Sequence, residues 1–245
     1  MSLTLKLEDP EAVASLIDHT LLHPKSVSSD VTRICEEARE YRFASVCINP
    51  YWVTQAVDSL CGSPVKVCTV IGFPLGASAS RVKLAEAEAA LEDGARELDM
   101  VLNIGALRSG QFAEVLEEIQ AVAALAHSNN SILKVILETC LLDDEEKVKA
   151  CQLAVEAGAD FVKTSTGFST AGATAADVAL LRKAVGEKVG VKASGGIRTL
   201  DALREMVAAG ANRIGTSSGV QIIGELHHIH LAAAPDRGGV GSSGY

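Results

Sequence analysis

The sequence has few aromatic residues, no long apolar segment and no excess of basic charge. Aromatic side chains make up 4% of the 245 residues. No window approaches the roughly 18 uninterrupted apolar residues that a membrane-spanning helix needs. The 31 acidic and 22 basic side chains give a formal net charge of −9. This balance argues against nucleic acid or an anionic membrane as the main partner, but it leaves open a small anionic ligand at a local site.

Several functional motifs are also missing. Neither G-x-x-x-x-G-K-[ST] nor G-x-G-x-x-G occurs, so nucleotide binding has no support. The six cysteines include no close C-x-x-C pair, which favours reduced thiols over a zinc site. The histidines of His227-His228-x-His230 do not share one helix face, so a solvated helix end is favoured over a metal site. The first residues lack the apolar stretch of a signal peptide, and we expect a cytoplasmic protein.

The chain does contain a regular alternation of apolar runs and helix-forming segments. Several of the runs are apolar throughout, as in strands of a sheet covered on both faces. The strand candidates are residues 43–48, 65–71, 98–102, 132–137, 161–163, 189–192 and 213–215. A short first strand at residues 17–21 makes eight units of about 25–35 residues, as in a (β/α)8 TIM barrel. A doubly wound open sheet is the structural alternative.

Helix-start signals separate these runs. Asp143 with Glu146 has the capping-box pattern, and so does Thr174 with Asp177. Thr199 is a further N-cap candidate. We predict a single α/β barrel domain over residues 1–245, with a short N-terminal helix and a flexible Gly/Ser-rich tail at about 235–245.

Three positions share an offset from the helix ends. Asp99, Lys163 and Gly215 each follow, by five residues, a glycine that ends a predicted helix. The common offset places an acid, an amine and a bare backbone at similar heights, toward the C-terminal ends of their strands. In (β/α)8 barrels those ends form the active-site face.

Lys163 and Lys192 lie at the ends of neighbouring predicted strands. A lysine inside an apolar strand is costly unless it is solvated or paired, and two snorkelling surface lysines are the simpler alternative. Adjacent ammonium groups repel, so one amine loses its proton more easily, and a neutral amine is what Schiff-base chemistry requires. Asp99 is either an ion-pair partner of these lysines or a proton shuttle, and the two roles are compatible.

Two glycine-rich turns predict a phosphate site. Gly195-Gly196 follows the seventh strand, while Gly215, Ser217 and Ser218 follow the eighth and open a helix. Exposed backbone N–H groups and hydroxyls at a helix start bind phosphate, and barrel enzymes often hold phosphate in these two loops. Ordinary helix capping is the alternative.

Taken together, these segments resemble the deoxyribose-phosphate aldolase family over roughly residues 15–225. The matching motifs are Ile17-Asp18-His19-Thr20, Val46-Cys47-Ile48-Asn49-Pro50, Ile71-Gly72-Phe73-Pro74-Leu75-Gly76, Glu97-Leu98-Asp99-Met100-Val101, Phe161-Val162-Lys163-Thr164-Ser165-Thr166-Gly167 and Val191-Lys192-Ala193-Ser194-Gly195-Gly196-Ile197-Arg198-Thr199. The resemblance implies a (β/α)8 barrel that reversibly cleaves 2-deoxyribose 5-phosphate to glyceraldehyde 3-phosphate and acetaldehyde, without a metal or other cofactor. Another Schiff-base aldolase and a non-catalytic phosphosugar-binding barrel are the alternatives.

The resemblance also implies roles for individual residues. Lys163 would be the Schiff-base nucleophile, Lys192 would depress its pKa, and Asp99 would relay protons. The phosphate would rest on the two glycine-rich turns, with Thr166 and Gly167 nearby. Barrels of this kind commonly pair through exposed helices, so we expect a homo-oligomer, either a dimer or a tetramer.

Five further positions complete the expected site. Asp18, Thr20 and Cys47 are candidates for substrate contact, although a strand cysteine is usually inert packing. Some family members have a second lysine where this chain has Phe168, so phosphate binding here would be weaker or would rest on backbone groups. The C-terminal Tyr245 corresponds to a tyrosine that assists proton transfer in some members.

Overall fold

The computed structural model describes residues 7–233 and forms a closed barrel of parallel strands. The strands, in chain order and in spatial order, are β1 (Ile17–Leu21), β2 (Ser45–Ile48), β3 (Lys66–Ile71), β4 (Glu97–Val101), β5 (Ile132–Ile136), β6 (Phe161–Lys163), β7 (Gly190–Ser194) and β8 (Arg213–Thr216). β8 returns to β1, where Ile17 lies beside Ile214 and Asp18 beside Gly215. This closure confirms the (β/α)8 barrel and excludes the doubly wound open sheet, which would leave two edge strands. Tyr245 and the predicted tail lie outside the described residues.

Helices connect the strands and surround them. They are α1 (Pro10–Ala14), α2 (Ser28–Tyr41), α3 (Val53–Ser59), α4 (Ser80–Glu92), α5 (Ile104–Arg108), α6 (Phe112–Ser128), α7 (Asp144–Glu156), α8 (Ala175–Val185), α9 (Leu200–Ala208) and α10 (Gly219–Ala233). Short 3₁₀ turns occupy Pro50–Trp52 and Thr139–Leu141. Within residues 7–233, no helix combines the length and the apolar character needed to cross a membrane.

Two of the predicted helix caps differ in how completely they form. The Asp143 carboxylate accepts the N–H of Glu146, and the Glu146 carboxylate accepts the N–H of Asp143, which is the reciprocal capping box. Thr174 accepts the N–H of Asp177 at the start of α8. The Asp177 carboxylate, however, lies 2.7 Å from Lys147 Nζ on α7. This second box is therefore half formed, because Asp177 bridges two helices instead.

Alternation along the strands separates an apolar outer face from a charged interior. The residues buried against the helices include Val46, Ile48, Leu98, Met100, Leu133, Val135, Val162, Val191 and Ile214. Each such side chain contributes about 1.5–3 kcal/mol relative to an exposed one. The interior instead holds buried Asp18, Asp99, Lys134, Lys163 and Lys192. This is unusual, because branched apolar residues commonly fill barrels of this fold.

Candidate active site

Every strand contributes a titratable side chain to the barrel interior. These are Asp18 on β1, Cys47 on β2, Cys68 on β3, Glu97 and Asp99 on β4, Lys134 on β5, Lys163 on β6, Lys192 on β7 and Arg213 on β8. All are buried except Arg213, whose side chain is 13% exposed. So many buried charged side chains are tolerated in a barrel interior only when they pair with one another.

Asp99 lies between the two lysines that the sequence singled out. Its Oδ2 atom is 2.7 Å from both Lys163 Nζ and Lys192 Nζ. Its Oδ1 atom accepts from Lys134 Nζ at 2.7 Å and from Cys68 Sγ at 3.2 Å. Burial alone raises the pKa of Asp99, but the surrounding ammonium groups outweigh it and hold this pKa well below its ordinary value. Asp99 is therefore an ionised carboxylate in a fixed position.

Lys192 carries a positive charge before the reaction begins. Its Nζ atom lies 2.5 Å from Asp18 Oδ2 and 2.7 Å from Asp99 Oδ2. Burial lowers the pKa of Lys192, but these two carboxylates outweigh burial and raise the pKa above its ordinary value. A protonated Lys192 and the amine of Lys163 thus share one oxygen of Asp99.

Lys134 is a buried residue of the site that the sequence did not predict. Its Nζ atom is 2.7 Å from Asp99 Oδ1 and 2.6 Å from Glu97 Oε2. Burial lowers the pKa of Lys134, but the nearby acidic groups, Asp99 first among them, raise it well above its ordinary value. A signal was present, because Lys134 interrupts the apolar strand β5 much as Lys163 interrupts β6.

Asp18 is buried in the barrel and does not line the cavity described below. Its side chain is fully buried and accepts from Ser45 Oγ at 2.6 Å and from Arg213 Nη1 at 3.1 Å. Arg213 also reaches Glu97 Oε1 at 2.9 Å. Asp18 is therefore placed to hold Lys192 and Arg213, and its contact with substrate stays a prediction.

A cavity of about 300 Å³ opens at the C-terminal ends of β1, β6, β7 and β8. The sequence-predicted residues that line it are Thr20, Lys163, Thr166, Gly167, Gly195, Gly196, Gly215 and Ser217. Asp99, Lys192, Asp18, Cys47 and Ser218 do not belong to its lining. His23 and Arg198, which the sequence analysis did not single out, also line it. Lys163 thus brings an amine to the cavity while its charged partners stay behind it.

One end of the cavity presents backbone N–H groups. Gly167, Gly195 and Gly196 have φ values of 85°, 88° and 83°, a region that favours glycine. Within the described residues, the N–H groups of these three glycines and of Ser217 donate no hydrogen bond. Ser217 also comes just before the start of α10, whose N-terminus favours anions. This end of the cavity is therefore suited to a phosphate.

Thr166 and Ser218 have other hydrogen-bond partners. The Thr166 hydroxyl donates to Glu138 Oε2 at 2.5 Å and accepts the N–H of Phe168 at 3.0 Å. The Thr166 N–H also donates to Glu138 Oε1, at 3.2 Å. The N–H of Ser218 donates to Thr216 Oγ1 at 2.9 Å. In this arrangement the N–H and hydroxyl donors of Thr166 fix the loop after β6, so neither is free for a ligand.

Gly215 provides space inside the barrel. A Cβ atom at this position would lie 2.9 Å from Ser194 Cβ and 3.0 Å from Lys192 Cε. Gly215 is also a paired residue of β8, beside Asp18 and Ser194. The missing side chain leaves the room that Lys192 needs to reach Asp99.

Cys47 belongs to a buried cluster with Cys68 and Asp99. One ligand atom from each of these residues lies within 4.8 Å of the other two. A hydrogen bond with Cys68 lowers the pKa of the Cys47 thiol against the effect of burial. Lys134 Nζ, however, lies 3.4 Å from Cys68 Sγ and 2.7 Å from Asp99 Oδ1. An ammonium group on two of the three candidate ligands opposes the binding of a metal cation there.

Comparisons with known proteins identify relatives over most of the chain. Residues 12–224 match the family described as DeoC/LacD family aldolase. A deoxyribose-phosphate aldolase of Brevibacillus brevis is 60% identical over 207 residues, covering 84% of this chain and 93% of its own. One of Bacillus cereus is 58% identical over 211 residues, covering 86% and 94%. The tetrameric deoxyribose phosphate aldolase of Aeropyrum pernix superposes with a TM-score of 0.85 at 39% identity, covering 91% of this chain and 94% of that one.

Proposed function

This chain belongs to the DeoC/LacD aldolase family, and we propose that it reversibly cleaves 2-deoxyribose 5-phosphate to glyceraldehyde 3-phosphate and acetaldehyde. The observation that carries the proposal is the position of Lys163. Its amine lines a cavity whose other end presents unbonded backbone N–H groups, and it contacts an ionised carboxylate shared with a second lysine. A reactive amine and a phosphate cradle in one cavity match the two ends of a phosphorylated aldehyde.

The reaction begins with a Schiff base on Lys163. The neutral amine attacks the C1 aldehyde of the open-chain sugar, and loss of water gives a protonated imine. Behind Lys163, the carboxylate of Asp99 accepts a hydrogen bond from the ammonium group of Lys192. Together they accept and return the protons that carbinolamine formation and dehydration require, and each such step contributes about 10²–10⁴-fold.

Cleavage follows from the electron demand of the imine. Removal of the C3 hydroxyl proton breaks the C2–C3 bond, because the protonated imine on Lys163 takes up the electron pair as an enamine. Glyceraldehyde 3-phosphate leaves, and protonation and hydrolysis of the enamine release acetaldehyde. Since Asp99 is absent from the cavity lining, a water molecule carries the proton between it and the substrate.

The phosphate is held mainly by the backbone. The N–H groups of Gly167, Gly195, Gly196 and Ser217 face no competing acceptor in the described residues, and Arg198 adds a cationic side chain to the cavity lining. Phe168 offers only its apolar ring here, which packs edge-on against Phe73 at 5.3 Å. Local donors of this kind bind one phosphate despite the overall acidity of the chain.

We also propose that the protein assembles with copies of itself. The Aeropyrum pernix relative is tetrameric and covers nearly the whole barrel. A small-molecule sugar phosphate is the other expected partner. Light scattering coupled to size-exclusion chromatography measures the oligomeric state directly, and a monomer at micromolar concentration would contradict this proposal.

Trapping of the imine tests the catalytic assignment. Borohydride added with 2-deoxyribose 5-phosphate should leave a covalent adduct on Lys163, mapped by peptide mass spectrometry. Lys163→Leu should abolish both the adduct and turnover, while Lys188→Leu, a change at an exposed lysine, should preserve both. An adduct on another lysine would refute the role of Lys163. Ligand binding without any adduct would indicate a non-catalytic phosphosugar-binding barrel, and turnover of a different sugar phosphate would indicate another aldolase.

A further inference from the structure

Six charged side chains in the barrel form a closed ring of alternating sign, which we call the charge ring. Each member contacts its two neighbours of opposite charge around the ring, and a longer contact of 3.9 Å between Lys134 Nζ and Asp18 Oδ2 crosses it. In order, the contacts are Arg213 to Asp18 at 3.1 Å, Asp18 to Lys192 at 2.5 Å, Lys192 to Asp99 at 2.7 Å, Asp99 to Lys134 at 2.7 Å, Lys134 to Glu97 at 2.6 Å, and Glu97 to Arg213 at 2.9 Å. Three carboxylates and three cations make this ring neutral.

Lys163 is a fourth cationic group attached to this neutral ring. Its ion pair is with Asp99 Oδ2, at 2.7 Å, and that oxygen is already 2.7 Å from Lys192 Nζ. The thiols of Cys47 on β2 and Cys68 on β3 lie within 4.8 Å of one Asp99 oxygen and carry no charge as thiols. A protonated Lys163 therefore adds one uncompensated positive charge to a buried network.

Because Lys192 belongs to the charge ring, its repulsion of a protonated Lys163 cannot be considered alone. The charge of Lys192 is matched by contacts with two carboxylates, Asp18 and Asp99. A proton on Lys163 then interacts with the charges of the whole ring, including members that never touch Lys163. Charges interact over such distances in a buried network, because few water molecules screen them.

We propose that the net charge of the ring sets the pH at which Lys163 becomes a nucleophile, with Glu97, Lys134 and Arg213 as positioning residues for this property. The inference rests on the proposed function, in which Lys163 forms the Schiff base. It assigns a role in the reaction to three residues that lie outside the cavity lining.

Substitutions that change the ring charge in opposite directions should shift reactivity in opposite directions. Glu97→Gln leaves the ring with an extra positive charge, so Lys163 should react at lower pH. Lys134→Met leaves an extra negative charge, so Lys163 should react only at higher pH. For charges about 6–10 Å apart in an effective dielectric constant of about 20, each shift is about one to two pH units.

The measurement is the initial rate at which acetaldehyde and cyanoborohydride modify Lys163, followed by mass spectrometry from about pH 5 to about pH 10. The double variant Glu97→Gln/Lys134→Met restores a neutral ring, and its midpoint should return to that of the unmodified protein. Glu145→Gln on α7 is the matched control, because it removes an exposed carboxylate of the outer layer and should leave the midpoint unchanged.

The outcomes separate the two proposals. No adduct on Lys163 in the unmodified protein would refute the proposed function itself. An adduct there, with the same midpoint in both single variants or shifts of the same sign, would refute the charge-balance inference alone. Each single variant leaves one uncompensated charge in a buried network and lowers stability. If Lys134→Met does not fold, Arg213→Met removes a cation from the other side of the ring and should give the same upward shift.

Discussion

Replacing Gly215 with alanine should impair catalysis by displacing Lys192. The added Cβ would lie 3.0 Å from Lys192 Cε and 2.9 Å from Ser194 Cβ, whereas ordinary contacts begin near 3.4 Å. Neither neighbour moves freely. Lys192 is held by two carboxylates, and the Ser194 hydroxyl donates to Ser165 O at 2.6 Å. The extra methyl group must therefore displace the network or distort β8.

The size of the effect follows from these distances. Overpacking of a buried position costs about 1–3 kcal/mol of unfolding free energy. A catalytic group displaced by about 1 Å can lose roughly 10²-fold in rate. We expect Gly215→Ala to lower kcat about 10- to 100-fold while KM for the phosphorylated substrate changes less than about threefold, since the altered contact is with Lys192.

The assay is steady-state cleavage of 2-deoxyribose 5-phosphate, coupled to reduction of the released acetaldehyde, alongside urea unfolding. Gly224→Ala is the control, because Gly224 lies in α10 and an added Cβ there would meet no atom within 4 Å beyond the backbone of its own helix. Alanine there should preserve kcat and add about 0.5–1 kcal/mol of stability. A Gly215→Ala protein with normal kcat and a raised KM would refute this reasoning and assign Gly215 to the phosphate instead.

Two further predictions concern the phosphate cradle and the outer layer. In Gly196→Ala the added Cβ would meet no atom within 4 Å, but alanine at a φ of 83° costs about 1–2 kcal/mol. The variant should raise KM for 2-deoxyribose 5-phosphate about tenfold and leave the kinetics with unphosphorylated 2-deoxyribose unchanged. An equal effect on both substrates would contradict a phosphate role. Lys83 and Glu118 form a buried pair at 2.6 Å, so Lys83→Met should lose about 3–5 kcal/mol in urea unfolding, while Lys83→Met/Glu118→Leu should lose much less. Equal losses of unfolding free energy in the two variants would show that the unpaired Glu118 carboxylate is not the cause of the destabilisation.

Local features of the sequence were enough to predict the architecture. Apolar runs alternate with capped helical segments because each strand and helix must bury a face, and eight such units lead to a closed barrel. The capping box of Asp143 and Glu146 formed as predicted, since its two hydrogen bonds depend on four consecutive residues. The box of Thr174 and Asp177 formed only in part, because a lysine on another helix offered Asp177 a better partner.

Not all of the predicted site residues line the cavity. Lys163 and residues of the glycine turns line the cavity, whereas the buried side chains of Asp18, Asp99 and Lys192 do not. Sequence position at the end of a strand indicates which face of the barrel a residue approaches. It does not indicate how far the side chain extends, nor which donors another side chain has already occupied, as Glu138 has occupied those of Thr166.

The sequence by itself determined the barrel, the aldolase resemblance and the identity of the paired lysines, because these depend on periodicity and on contiguous motifs. Only the tertiary structure decided the charge balance around Lys163. Arg213 and Asp18 are 195 positions apart in the chain, and Lys192 and Asp99 are 93 apart, yet each pair is in contact. Closure of the barrel brings them together, and a buried charge takes its chemical character from its neighbours in space.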